Sequence, residues 1–306
     1  MDKISDLPDD LLLQILSLNP SKDVTATSFL SKTWSSLWTL VPVLGYDDRN
    51  HNGDYKLFTQ FVYKSLLSNN APVLQHLHLN LGPDCSSVDI GQWINHAVSR
   101  HLHELQIDIR SSNNGPFTLP SSLYTSATLQ RLTLINCVFL DVPVHVHLPF
   151  LKTLSLKFVT YANKTSLPTF LTGCPNLEDL FVEHRFENSP MDVNVLVPSS
   201  QRLHMSISNY VGKYMLKYSS LKCLKFVGMA SSKLLQIENM PELIKANVTF
   251  CEDTHKFLKA LTSVRRLELR ITLPEVVDLS SMIFHQLVHL ILHKIAQEEW
   301  WSLSAM

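Results

Sequence analysis

Three histidine pairs carry the spacing most open to chemistry. His76 and His78, His101 and His103, and His145 and His147 each stand one residue apart. On a β-strand such residues share a face, and two imidazoles on one face begin a metal chelate. A chelate needs a third donor. None stands at a matching spacing, and only the first pair falls in the middle of an expected strand. The histidines therefore read as solvent-facing, and no metal or other cofactor is expected. No GxSxG, HExxH or GxxxxGK(S/T) motif occurs, and 8 glycines leave little material for phosphate-cradling loops. Cys174, in Gly-Cys-Pro-Asn-Leu, has no basic neighbourhood to activate it as a nucleophile, so it reads as a buried repeat residue.

The composition narrows the classes further. The 306 residues carry 26 Lys plus Arg against 27 Asp plus Glu, with 45% hydrophobic and 17% charged residues. That is a core-rich globular composition without a basic block, a poor match to phosphate-backbone binding. The first residues, MDKISDLPDD, lack a basic lead-in and a small-residue cleavage site, and no apolar run approaches eighteen residues. The five cysteines are scattered and never paired as CxxC. Reduced thiols and an intracellular setting, nucleus or cytosol, are the expectation.

What must position any functional side chain is a repeat. The phrase leucine, two variable residues, leucine, one variable residue, apolar residue begins at Leu74, Leu102, Leu129, Leu151, Leu177, Ser200, Leu221, Leu243, Val264 and Leu287. These steps of 21 to 28 residues suit leucine-rich repeats. Alternation along a strand turns Leu132 and Leu134 inward and Arg131, Thr133 and Ile135 outward. One repeat cannot cover its own leucines, so stacked repeats build a parallel sheet along a solenoid. Residues 88–98 have helical spacing. Residues 115–120 and 141–149 are rich in turn formers and read as irregular. An irregular, shallowly curved arc is expected, with the strand faces on its concave side.

The outward positions are the candidate recognition surface: His78, Glu104, Asp108, Arg131, Lys157, Asp179, Phe181, Glu183, Lys225, Arg266 and Arg270. Their charge is sorted, acidic at the second and fifth repeats and more basic from the sixth to the ninth. At the C-terminus Trp300, Trp301 and Leu303 are the bulky apolar groups available to cover the last repeat, for which partial sealing is expected.

The first forty residues pose a separate problem. Asp6 suits an N-cap, Pro8 a first turn, and Leu11, Leu12, Ile15 and Leu16 form one wide apolar stripe. Ser21 and Ser31 suit the starts of two more short helices, the last with Trp34, Leu37 and Trp38 at i, i+3 and i+4. Three helices this short carry more apolar side chains than they can bury. The stretch ISDLPDDLLLQILSLNPSKDVTATSFLSKTWSSLW, residues 4–38, closely resembles an F-box. The phrases LPFLKTLSL and LTGCPNLEDLFV resemble the large plant group of F-box proteins with leucine-rich repeats, many of which end in an FBD region. By that resemblance the region is expected to be absent or barely begun in these 306 residues. Asn19 and Thr33 depart from the family's usual leucine and basic residue.

The resemblance implies an α/β chain: a three-helix F-box at residues 1–45, a connecting helical segment at 46–72, and repeats at 73–306 with about ten strands. It implies a non-catalytic subunit of an SCF-type (cullin-RING) ubiquitin ligase. The F-box would bind a Skp-type adaptor, and through it a cullin, and the repeats would hold a protein substrate. Leu7, Pro8, Leu11, Leu12, Ile15, Leu16, Val24, Leu30, Trp34, Leu37 and Trp38 would mix adaptor contacts with the module's own core. A protein-interaction module without a ligase, such as a truncated decoy of the same family, is the alternative. An enzyme or small-molecule receptor would need a deep pocket or a titratable cluster, and the sequence offers neither.

Overall fold

The structure is a computed structural model. It describes residue 4 and residues 7–51, 53–110, 115–184, 193–196, 200–207, 214–217, 220–228, 235–237, 240–250, 258–272 and 283–295. Two compact units divide the chain, Met1–Phe139 and Leu140–Met306.

The first unit begins with three helices, α1 (Asp9–Ser17), α2 (Ser21–Ala26) and α3 (Lys32–Leu37), with 3-10 turns at Thr27–Phe29 and Trp38–Leu40. The starts of the first two differ from the sequence reading. Pro8 and Pro20, rather than Asp6 and Ser21, hold the N-cap positions, with extended ψ of 145° and 143°, and neither helix has a side-chain cap. The reason lies in the proline ring. It fixes φ and has no N–H to lose, so the residue that opens the turn does so through its carbonyl. The Leu11 and Leu12 N–H groups both donate to the Pro8 carbonyl. Ser31 does cap α3, accepting from the Trp34 N–H at 3.4 Å.

Strands β1 (Val43–Asp47), β2 (His76–Leu81), β3 (Glu104–Ile109) and β5 (Arg131–Asn136) pair in parallel in that order. Inward side chains line up across them: Leu44, Leu77, Leu105 and Leu132 in one row, Tyr46, Leu79, Ile107 and Leu134 in the next. All eight are buried. Each buried leucine contributes roughly 1.5–3 kcal/mol of transfer free energy. Strand β1 adds to the expected set, because VLGYD lacks the repeat phrase. Residues 46–72 therefore hold the end of a strand and a 3-10 turn (Asp48–His51) as well as the helix α4 (Tyr55–Ser68). The helix α5 (Ser87–Ser99) follows β2 and buries Ile90, Trp93, Ile94 and Ala97. Asp89 pins it to α4 by accepting from the Tyr55 and Tyr63 hydroxyls at 2.5 and 2.8 Å. Residues 115–120, expected to be irregular, include β4 (Phe117–Thr118), which pairs with β6 (Val138–Leu140). Phe117 and Val138 are buried together there, and that burial outweighs the turn-forming composition around them.

In the second unit β7 (Thr153–Lys157), β8 (Thr160–Tyr161) and the helix α6 (Ser166–Thr172) precede β9 (Asp179–His184). The strands β10 (Val193–Leu196), β12 (Tyr214–Lys217) and β14 (Leu235–Ile237) form a short parallel ladder of their own. The strands β11 (Arg202–Ile207), β13 (Cys223–Gly228), β15 (Lys245–Phe250), β16 (Arg266–Thr272) and β17 (His289–Ile295) continue the parallel sheet from β7 and β9. Leu154, Leu180, Leu203, Leu224, Ala246, Leu267 and Leu290 share one inner row. Every expected repeat phrase thus yields a strand, and within each unit these strands pair in parallel without a shift in register. Leu290 and Leu292 differ from their row-mates in being 45% and 55% exposed. Trp300, Trp301 and Leu303 lie outside the described residues. No helix among the described residues is long and apolar enough to cross a membrane.

Candidate functional site

Two surfaces emerge, one apolar and one polar. The apolar one is built on α1. One side of the helix carries Leu12 and Leu16, which pack with Val24, Trp34, Leu37 and Val41 into a small core, flanked by Leu13 and Trp38. A neighbouring side, about 100° round the helix, carries Leu11 and Ile15, and Leu7 and Leu18 stand just beyond its two ends, at spacings of 4 and 3 residues from them. They are exposed, as are Phe29 and Leu30 after α2. The wide stripe expected from the sequence is therefore two stripes. Of the eleven candidate docking residues, Leu12, Leu16, Val24, Trp34 and Leu37 are buried in the module's own core and hold its shape, with Trp38 partly buried beside them. Leu7, Pro8, Leu11, Ile15 and Leu30 remain available to a partner. Leu18 (86% exposed) and Phe29 (91% exposed) join them from the structure alone. Leu18 continues the spacing of Leu11 and Ile15 past the end of α1, whereas Phe29 stands in a 3-10 turn where helical periodicity gives no signal. A groove of about 960 Å³ runs beside this stripe, lined also by Pro42, Val43, Pro72 and Val73.

The helical module is tied to the sheet by polar contacts. The Gly45 N–H donates to the buried Ser21 Oγ at 2.8 Å. The buried Asn69 side chain donates to the Val41 carbonyl at 2.8 Å, and Arg100 donates to the Asn69 carbonyl at 2.8 Å. These bonds fix how α2 and the end of α4 meet the first strands.

The polar surface is the outward face of the strands. In the first unit its rows read Val43, His76, Glu104, Arg131; then Gly45, His78, Gln106, Thr133; then Asp47, Asn80, Asp108, Ile135. Parallel register sets side chains of adjacent strands about 4.8 Å apart, and pairs form along the rows. Arg131 lies 3.3 Å from Glu104, and the Glu104 carboxylate is 3.8 Å from His76 and 3.7 Å from His78. Asn136 donates to Asp108 at 2.6 Å. Beyond the strand ends Arg110 bridges Asp48 and Asn80, while the Arg49 side-chain hydrogen bond holds the Asp47 carboxyl below its usual range.

The second unit repeats the pattern. Arg202 pairs with Asp179, Lys157 lies 3.5 Å from Glu183, and Arg270 lies 3.0 Å from Glu268. Asn247 and His293 also address Glu268, at 2.8 and 3.3 Å. The Phe181 ring meets His204 edge-on with centroids 5.8 Å apart, and burial lowers the His204 pKa. Lys225 is exposed on the same face, and Arg266 lines a shallow recess with Lys245, Glu268, His289 and Ile291. All of the candidate recognition residues thus lie on the outward rows of strands, His78, Glu104, Asp108 and Arg131 in the first unit and the rest in the second. The sorted charges are largely matched by their row neighbours. Arg202, Glu268, Asn247 and His204 belong to the same surface, although no one segment marks them out. Their signal is the equal spacing of the repeats, which puts corresponding positions side by side.

Cys85 and Cys174 are buried and have no reactive setting. Burial pushes Cys85 and Cys174 up to about 12, and the Cys174 Sγ donates to the Phe170 carbonyl at 3.3 Å. Cys251 lies outside the described residues.

Comparison with known proteins agrees with this architecture. An F-box domain model matches residues 4–44, and a model described as FBD-associated F-box protein At5g56370, LRR repeats, matches residues 90–253. The F-box/FBD/LRR-repeat protein At4g26340 of Arabidopsis thaliana is 58% identical over 307 residues, covering 99% of this chain and 73% of that protein. The F-box/LRR-repeat protein At3g26922 of the same plant is 42% identical over 280 residues, covering 89% of this chain and 90% of that one. FBD-associated F-box protein At5g56370, also from Arabidopsis thaliana, is 43% identical over 293 residues, 95% of this chain and 68% of its own length. With helices that expose one apolar stripe, parallel strands at ten leucine-rich repeats and these relatives, the chain belongs to the plant F-box/leucine-rich-repeat family, in its FBD group.

Proposed function

We propose that the chain is the substrate-recognition subunit of an SCF-type cullin-RING ubiquitin ligase and carries out no bond chemistry itself. The helical module binds a Skp-type adaptor, and through it a cullin. The outward rows of the sheet receive a target protein, in the nucleus or the cytosol. The observation that carries this reading is the two-sided α1. One stripe completes the module's core, while Leu7, Leu11, Ile15 and Leu18 stay in water. An apolar stripe kept on the surface by a well-packed core is the mark of a docking face.

Family membership supports both halves of the reading. The buried Cys85 and Cys174, whose burial raises their pKa, and the ion-paired Glu104 and Asp179 support a role without a nucleophile. The test is co-expression of the full chain with a tagged Skp-type adaptor. Replacing Leu7 and Pro8 with alanine is expected to abolish capture while circular dichroism stays unchanged. Capture at the wild-type level would sink the adaptor assignment. For the second half, proximity labelling under proteasome inhibition identifies targets. Arg266→Glu with Arg270→Glu then reduces target capture and leaves adaptor binding intact; unchanged capture moves recognition off these rows.

A further inference from the structure

We infer that His76, His78 and Glu104 form a divalent transition-metal site, suited to Zn²⁺, on the outward face of the first unit's sheet. The sequence supplies two donors one residue apart. The third comes from the neighbouring strand, where parallel register sets Glu104 directly beside His76. One ligand atom from each of the three residues lies within 4.8 Å of the others. Both imidazoles present Nε2 to the one carboxylate, His76 to Oε2 at 3.8 Å and His78 to Oε1 at 3.7 Å. The rings are stacked at 5.9 Å with 23° between their planes, so the two imidazoles lie side by side on one face.

Two further observations favour a ligand there. The His78 ring is 41% exposed, yet its Nε2 is shielded from solvent and has no hydrogen-bond partner. At 3.7 Å the Glu104 oxygen is too distant to be one. A shielded nitrogen lone pair facing a carboxylate gains little without a cation or proton between them. On the other side of His78 the row is occupied by Gly45, whose missing side chain leaves open space above the sheet. Donors on tetrahedral Zn²⁺ lie about 3.3 Å apart when bonds are about 2.0–2.1 Å. The two histidine–carboxylate gaps close by about half an ångström, and the histidine–histidine gap closes from within 4.8 Å by rotation of two partly exposed side chains. Two imidazoles and one carboxylate leave a fourth position for water or for a donor from a partner. The competing group is Arg131, whose exposed guanidinium sits 3.3 Å from Glu104 Oε2 and must swing away.

Titrating the purified full chain with Zn²⁺ against a chromophoric chelator tests this, with Co²⁺ absorption reporting the coordination number. One equivalent is expected to bind. His78→Ala and Glu104→Gln should each weaken binding roughly tenfold or more, and Arg131→Gln should tighten it by removing the competing cation. Circular dichroism of each variant separates loss of the site from loss of the fold. Absence of binding by the wild-type chain would overturn the assignment, as would binding unaffected by both His78→Ala and Glu104→Gln. Adaptor capture is read separately, so failure here leaves the docking stripe standing.

Discussion

The helical module of residues 9–37 and the repeat strands of the parallel sheet each bury a row of leucines, yet they treat their outer surfaces in opposite ways. Leu12 and Leu77 are both fully buried. Outside, α1 keeps a stripe of leucine and isoleucine in water, while the strands carry rows of paired charges. The difference follows from geometry. A sheet row repeats at a fixed spacing and lets opposite charges meet, so its outer face is satisfied without a partner. A nine-residue helix with apolar side chains on two sides can bury only one of them within so small a module.

The sharpest way to break this comparison is to change adjacent residues on neighbouring sides of α1. Leu12→Ala should destabilise the helical module by about 2–5 kcal/mol, the range for a buried leucine. Leu11→Ala should stay within about 0.5 kcal/mol while weakening adaptor capture. Equal shifts in thermal denaturation would mean that the stripes are not distinct.

Inside the second unit His184 tests how dry the strand interior is. Burial lowers its pKa from 6.5 to about 4, and its ring stacks on Tyr161 at 5.3 Å. Between those values the unfolded chain binds a proton that the folded chain does not. Stability is therefore fully present above the unfolded value and falls as pH drops towards 4, by on the order of 3 kcal/mol at the bottom of the window. Denaturation midpoints measured from pH 7 to 4.5 should flatten in His184→Leu; an unchanged slope would place the titration elsewhere.

Smaller effects sharpen the contrast. Ser31→Ala removes the α3 cap and should cost about 1 kcal/mol, seen as a lower midpoint for the helical module; no change would mean that the 3.4 Å contact contributes nothing. Glu183→Gln removes a surface pair and should cost less than about 1 kcal/mol, shrinking further with added salt. A larger, salt-independent loss would show that the rows hold the sheet together rather than merely coat it.

The repeat strands are legible because leucine at two alternating positions, recurring ten times, admits one solution: a sheet face that neighbours must cover. Strand β1 is hidden because Val41 and Tyr46 stand where the phrase favours leucine, and because Val41 lies 33 residues before Leu74, outside the repeat's steps of 21 to 28. The split of the α1 stripe is hidden for another reason. Leu11 and Leu12 are adjacent in sequence, and hydrophobicity alone does not say which of two neighbouring directions has something to pack on. Glu104 beside His76 needs the register, which is a property of pairs of strands and of no single segment.

Rows in equal register also form a ruler. Their rungs are about 4.8 Å apart. An extended segment laid across them offers a side chain to the same face every 6.6–6.8 Å or so. It slips out of step after one contact and regains coincidence near every third rung, like a vernier scale. A helix laid across them advances about 5.4 Å per turn and runs ahead by only about 2 Å over three rungs. On the proposed recognition face, a helical segment would therefore meet successive rungs within each unit and an extended one only intermittently, whatever side chains the face carries.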